Sequence, residues 1–218
     1  MNFKLGSLEF FRECDSEQLD LLSSTLKVKN YETGDILVYE EDDLSKVYFL
    51  YEGEVKLYKV DRFDNEVFLY TLSGEALLTT LGSLDCGRVN CFSNIEFLKP
   101  SRVISFDIHL FKQVVKMQMP LLINMVNMLA DQKQKHECMI TMGIVYDVTA
   151  KVAKMLCEQL ELYNTLKKQE ISYRLNIQPA TLSRVLAKFI RKDLIKEEDH
   201  RTVILKHEEL SRYFKEGI

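Results

Sequence analysis

From residue 28 to residue 107 apolar and polar positions alternate, as in VKNYETGDILVYEEDDLSKVYFLYEGEVKLYKV, and the stretch is dense in Val, Tyr, Phe, Ile and Leu. A period of two in such residues predicts β-strands. Turn signals recur about every ten residues, as in an antiparallel roll of short strands: Thr33-Gly34-Asp35, Glu52-Gly53-Glu54, Asp64-Asn65 and Ser73-Gly74-Glu75. A short helix around SEQLDLLSSTL precedes this region.

From Ile108 to Gly143 the period becomes helical. Leu122, Met125, Leu129, Gln132, His136, Met139 and Gly143 step by threes and fours, the spacing of a coiled-coil seam. Pro120 suits the first turn of a long helix. No second helix of this kind lies nearby in the sequence, so the stripe is expected to meet another copy of the chain. The expected homodimer interface is Leu122, Met125, Leu129, His136 and Met139. The alternative, packing of this helix on its own roll, stays open at this point.

The last third reads as a helix in VYDVTAKVAKMLCEQLELY, a helix pair in QEISYRLNIQPATLSRVLAK, then a short hairpin and terminal helix in HRTVILKHEELSRYF. In the pair, Ile171 and Leu175 belong to a first helix and Asn176 to the turn, because Asn tolerates a left-handed backbone. Pro179 starts the second helix. Leu182, Val185, Leu186 and Phe189 fall at i, i+3, i+4 and i+7, while Arg184, Lys188, Arg191 and Lys192 fall on another face. This is the pattern of a helix-turn-helix. Its outward residues Gln178, Ala180, Thr181, Ser183, Arg184 and Lys188, with Arg201 in the hairpin, are the candidates for contact with double-stranded DNA in the major groove. The fold class is α+β: an antiparallel β-roll over residues 1–107, a long dimerisation helix over 108–143, and a winged helix-turn-helix over 144–218.

Charge supports this division. The 218 residues carry a net charge of −4, but residues 145–218 hold 14 Lys plus Arg against 11 Asp plus Glu, a net of +3. The remainder holds 15 against 22, a net of −7. An acidic front does not hold a polyanion, whereas a tail with its cations gathered on one helix does. No apolar run is long enough to cross a bilayer, and MNFKLGSLEFFRECDSEQ carries acids where a signal peptide has an apolar run. The expected location is the cytoplasm, without membrane contact.

The five cysteines, Cys14, Cys86, Cys91, Cys138 and Cys157, are odd in number and form no CxxC pair, which argues against a disulfide framework or a zinc site. Metal catalysis of the cupin kind needs histidines in the roll, yet His109, His136, His200 and His207 all lie outside residues 28–107. No nucleophile triad, P-loop or dinucleotide fingerprint is present. No enzyme is expected, and no metal site. An interaction module that does not bind DNA is the competing class, but it would not require a cationic outer face.

The order of the pieces carries a resemblance over nearly the whole chain. A roll with TGDILVYEEDD, VYFLYEGEVKLYKV and an SGE turn, a long helix, YDVTAKVAKMLCEQL, a helix-turn-helix and a wing resemble the Crp/Fnr family of bacterial transcription regulators. The resemblance implies a cyclic-nucleotide-binding-like roll that senses an effector, a dimerisation helix, a two-fold symmetric operator and contact with RNA polymerase. Relatives that bind cyclic nucleotides carry a Gly-Glu pair followed by Arg-Ser or Arg-Thr. Here Leu78 and Thr79 align with Gly-Glu, and Phe92-Ser93 with Arg-Ser, so no cyclic nucleotide is expected. The family's iron–sulfur member uses several N-terminal cysteines, and this chain has only Cys14 there, so no cluster is expected. Haem-using relatives need an axial ligand, for which His109 and His136 are the candidates, and Cys86 with Cys91 is a candidate thiol pair. With Phe92 and Ser93 these form the candidate effector residues. Nitric oxide or redox stress ranks first as the signal, and a small organic ligand in the roll second. Fnr-like recognition helices read E-x-x-S-R; here Ala180, Ser183 and Arg184 align, so the Glu is lost.

Overall fold

The computed structural model describes residues 4–79, 89–199 and 201–215. Two compact units divide the chain, Met1–Lys135 and His136–Ile218.

The first unit opens with two short 3-10 turns, Leu5–Ser7 and Glu9–Phe11, and the helix α1, Ser16–Ser23. Ten strands follow among the described residues: β1 Lys27–Tyr31, β2 Ile36–Val38, β3 Asp43–Leu44, β4 Lys46–Glu52, β5 Glu54–Val60, β6 Glu66–Ser73, β7 Ala76–Leu77, β8 Val89–Asn90, β9 Asn94–Phe97 and β10 Ser101–Asp107. They pair antiparallel in two four-stranded sheets, ordered β1-β10-β4-β7 and β2-β9-β5-β6, with β3 and β8 as a separate pair. The alternation in sequence is the cause. Val47, Phe49 and Leu50 of β4, Ile104 and Phe106 of β10, Val55 and Leu57 of β5, and Ile95 and Phe97 of β9 turn inward to one shared core. Each fully buried side chain of this size contributes about 1.5–3 kcal/mol.

At the turn from β4 to β5, Gly53 has φ +115, and a Cβ there would overlap the Ser101 side chain. Only glycine suits both the backbone angle and the close approach. Phe10 and Phe11 plug the end of the roll, with Phe11 and Phe106 edge to face at 5.7 Å and Phe10 stacked with Phe111 at 6.4 Å.

The helical stretch after the roll is two helices, α2 Ile108–Met117 and α3 Met119–Ile140. Asp107 caps α2 by accepting from the Leu110 N–H at 3.0 Å. The break comes at Gln118, which has extended dihedrals. Pro120 accounts for it, because it has no N–H for the carbonyl four residues back and its ring crowds that carbonyl; near the start of a new helix the same residue is tolerated.

The stripe expected to meet another copy is partly taken up by the roll. Leu122, Met125 and Leu129 turn towards the roll of their own chain: Met125 is buried beside Leu121, and Leu122 and Leu129 pack half-buried against the same core. His136 and Met139 are half-buried. The stripe one residue further on, Met119, Ile123, Val126, Ala130, Lys133, Glu137 and Ile140, is exposed along α3, with Ile123 at 52 % and Val126 at 56 %. Both stripes share one period and differ by a rotation of about 100°. The richer one, in Leu and Met, is drawn to the intramolecular core. Asn124 and Gln132 pin the orientation, donating to the carbonyls of Phe10 at 3.0 Å and Leu77 at 3.1 Å.

A wide turn, Thr141–Val145, begins the rest of the second unit and closes with the Tyr146 N–H on the Thr141 carbonyl at 3.1 Å. Helices α4 Val148–Glu158, α5 Leu160–Thr165, α6 Lys168–Arg174 and α7 Pro179–Arg191 precede a hairpin of β11 Ile195–Glu198 and β12 Arg201–Ile204, and α8 His207–Lys215 ends the unit. Leu156, Leu182, Phe189, Leu194, Leu210 and Phe214 form its separate core. No described helix is long and apolar enough to cross a membrane.

Candidate nucleic-acid interface

Local chemistry sets the angle between α6 and α7. Glu170 accepts from the Lys167 N–H at 2.7 Å and starts α6. Asn176 then takes φ +50, and the Ile177 N–H returns to the Ser172 carbonyl at 3.0 Å. Pro179 opens α7 with Gln178 as its cap residue. The helix-turn-helix expected from the sequence is therefore present, with its left-handed residue where an Asn stands.

Leu182, Val185, Leu186 and Phe189 form the inner face of α7 and are buried. On the other side Gln178, Ala180, Ser183 and Arg184 are exposed, and Thr181 and Lys188 are half-buried. Six predicted contact residues thus lie on one 13-residue helix and its cap, a rod about 20 Å long whose diameter of about 10–12 Å suits the roughly 12 Å width of the major groove. Arg201 stands apart, exposed at the start of β12. The Ser183 hydroxyl donates to the Pro179 carbonyl at 3.1 Å. Asn164 holds the hairpin by both groups of its amide, accepting from the Thr202 N–H at 2.8 Å and donating to the Thr202 carbonyl at 3.0 Å. Sequence reasoning missed a residue beside this face: Tyr213 of α8, whose hydroxyl accepts from Lys192 Nζ at 2.8 Å. Nothing in the sequence pattern marks a terminal-helix tyrosine as a neighbour of α7.

In the roll, Leu78 and Thr79 are buried, and Thr79 Oγ1 accepts from the Tyr48 N–H at 2.7 Å. Phe92 is half-buried and Ser93 buried, and among the described residues Ser93 Oγ has no hydrogen-bond partner. A cation does stand near this pair. Lys59 Nζ lies 5.1 Å from the Phe92 ring centroid and is ion-paired with Glu40. Its charge is already matched by Glu40.

Cys91 is buried and its thiol donates to the Ser93 carbonyl at 3.0 Å. Burial pushes its pKa up, with Asp42 and Glu40 adding to the rise, and so keeps it protonated. Cys86 lies outside the described residues. Cys14 is half-buried, and burial raises its thiol too. His109 is exposed on α2 and offers no axial ligand to the core of the roll. The residues do not fit a haem held through that histidine. Among the described residues, no group of His, Cys, Asp and Glu is placed to hold a metal ion.

A model of the Crp-like helix-turn-helix domain matches residues 150–213, and one of the cyclic nucleotide-binding domain matches residues 28–118. No curated protein matches the chain. Among solved structures, a mutant of CooA from Carboxydothermus hydrogenoformans is 19% identical, with a TM-score of 0.71 over 99% of this chain and 97% of that one. A protein described as a transcriptional regulator of the Crp/Fnr family from Eubacterium rectale is 18% identical, with a TM-score of 0.68 over 95% and 98%. FixK2 from Bradyrhizobium japonicum is 14% identical, with a TM-score of 0.63 over 86% and 96%. At such identities these three speak for the fold.

Replacing Arg184 with Ala is expected to remove discrimination between DNA sequences and leave the thermal unfolding midpoint in place, since the side chain is exposed. A guanidinium paired with guanine contributes about 1–3 kcal/mol of discrimination. Equal operator affinity for wild type and Arg184→Ala in a gel-shift titration would show that α7 does not read bases through this residue.

Proposed function

We propose that this chain, which belongs to the Crp/Fnr family of DNA-binding transcription regulators, acts as a homodimer on a two-fold symmetric operator under the control of a small organic ligand other than a cyclic nucleotide. One observation carries the DNA-reading part. The inner face of α7 is spent on the core of its unit, and the outer face presents Gln178, Ala180, Ser183 and Arg184 to solvent in a row. Lys188 and Lys192 supply charge for the phosphates. RNA polymerase is the partner that such a regulator would act on.

Dimerisation is assigned to the exposed stripe of α3. Met119, Ile123, Val126, Ala130, Lys133, Glu137 and Ile140 alternate steps of four and three, the a and d spacing of a two-stranded coil. Apolar side chains in such a row on a 22-residue helix gain from a second copy of the same row.

For the signal, the buried Ser93 hydroxyl, which has no partner among the described residues, favours an uncharged ligand that hydrogen-bonds to it. A cyclic nucleotide suits the place poorly. Its phosphate would meet the Phe92 ring and a lysine already neutralised by Glu40, and burying an unmatched phosphate is costly. Nitric oxide or redox stress loses support, since Cys91 is held protonated and His109 faces solvent.

Three outcomes check these assignments. Selection from random DNA is expected to enrich a two-fold motif with half-site centres about one helical turn, roughly 34 Å, apart. The motif should depart from TTGAT, the kind of half-site that Fnr-like relatives bind, at the pair a Glu would read, because the Ala180 methyl accepts no hydrogen bond and suits a thymine methyl; an asymmetric motif would sink the dimeric reading. In sedimentation, Val126→Glu should give a folded monomer by burying like charges in the seam, whereas Leu129→Glu should lower the stability of the roll. A dimeric Val126→Glu protein would mean that the stripe is not the interface. Calorimetry with cyclic AMP is expected to show no micromolar binding, and heat of binding in that range would refute the reading of Phe92 and Ser93.

A further inference from the structure

Tyr213 touches α7 by three routes. Its ring packs on Phe189 with centroids 5.1 Å apart and planes at 60°. The ammonium groups of Lys188 and Lys192 each stand 5.5 Å from the ring centroid. Lys192 Nζ also donates to the Tyr213 hydroxyl at 2.8 Å.

Lys188 and Lys192 are one helical turn apart, where like charges repel. Each sits on a flexible four-carbon stem. A ring that attracts Lys188 and a hydroxyl lone pair that accepts from Lys192 offset the repulsion and narrow the space each ammonium explores. Neither lysine forms an ion pair with a carboxylate among the described residues, so the pair keeps its charge for an outside anion. The dipole of α7 favours cations at this end of the helix as well.

We propose that Tyr213 is a positioning residue for the DNA backbone: it holds Lys188 and Lys192 as a preformed pair of cations aimed at neighbouring phosphates beside the groove that α7 enters. The proposal rests on the reading of α7 as the DNA-binding helix. It gives the terminal helix a part in affinity without any part in base choice, because phosphate contacts position and carry no sequence. Immobilising a lysine on binding otherwise costs roughly twofold to tenfold in affinity.

The test uses the full chain and two labelled duplexes, one recovered by selection and one of scrambled sequence. Tyr213→Leu keeps an apolar contact for Phe189 and removes both ring face and hydroxyl; it should weaken binding to both duplexes by the same factor, about threefold to tenfold. Tyr213→Phe keeps the ring and should lose only about twofold, which guards against a mere folding defect in the leucine variant. In a Lys188→Ala, Lys192→Ala background, Tyr213→Leu should have no further effect. An equal loss in both backgrounds, or no loss in the wild-type background, would overturn the proposal. If the double lysine variant binds scrambled DNA as well as wild type does, the assignment of α7 falls and this proposal with it; if only the tyrosine variants are silent, the assignment of α7 stands and this proposal alone falls.

Discussion

The burial of Leu121 and Met125 in the core of the roll decides which way α3 faces, and most of what is inferred about assembly follows from it. A helix turns about 100° per residue. Once these two side chains are inside, Ile123 and Val126 have to be outside, and the two amide side chains bonded to the Phe10 and Leu77 carbonyls hold the helix there. The proposed interface between copies is therefore not an independent surface. Its orientation is set by packing within one chain, and substitutions on the inward stripe act on it through the roll.

The sequence made much of this legible, for physical reasons that differ by region. The strands of residues 28–107 could be read because a sheet buried on one face imposes period two. The helix-turn-helix could be read because its turn demands a residue that tolerates positive φ, and an Asn stands there between two apolar periodic runs. The α3 interface could be read only in kind. Two stripes one residue apart have the same spacing, and periodicity alone does not say which one the roll will claim. The break at Gln118 was hinted at by Pro120 but not its position.

What the sequence left hidden lies across strands and between distant elements. Lys59 and Glu40 meet over Phe92 because β5 is registered against β9, a pairing that no linear motif encodes. Tyr213 meets Lys188 and Lys192 because α8 returns to the unit's core through Leu210 and Phe214. Thiol chemistry shows the same limit. Spacing made Cys91 a candidate for a reactive pair, whereas the hydrophobic interior around it raises the cost of its thiolate.

The bond from the Ser183 hydroxyl to the Pro179 carbonyl bears on which edges of the bases the proposed recognition helix would sense. A hydroxyl has one proton, and here the helix backbone has taken it. While that bond is kept, Ser183 offers only lone pairs to the groove. Such a group accepts from the exocyclic amino groups of adenine and cytosine and has nothing to give the oxygen of guanine or thymine. A serine is ordinarily the least committed of the polar residues facing DNA; if α7 reads bases as proposed, its own first turn makes this one selective for donors.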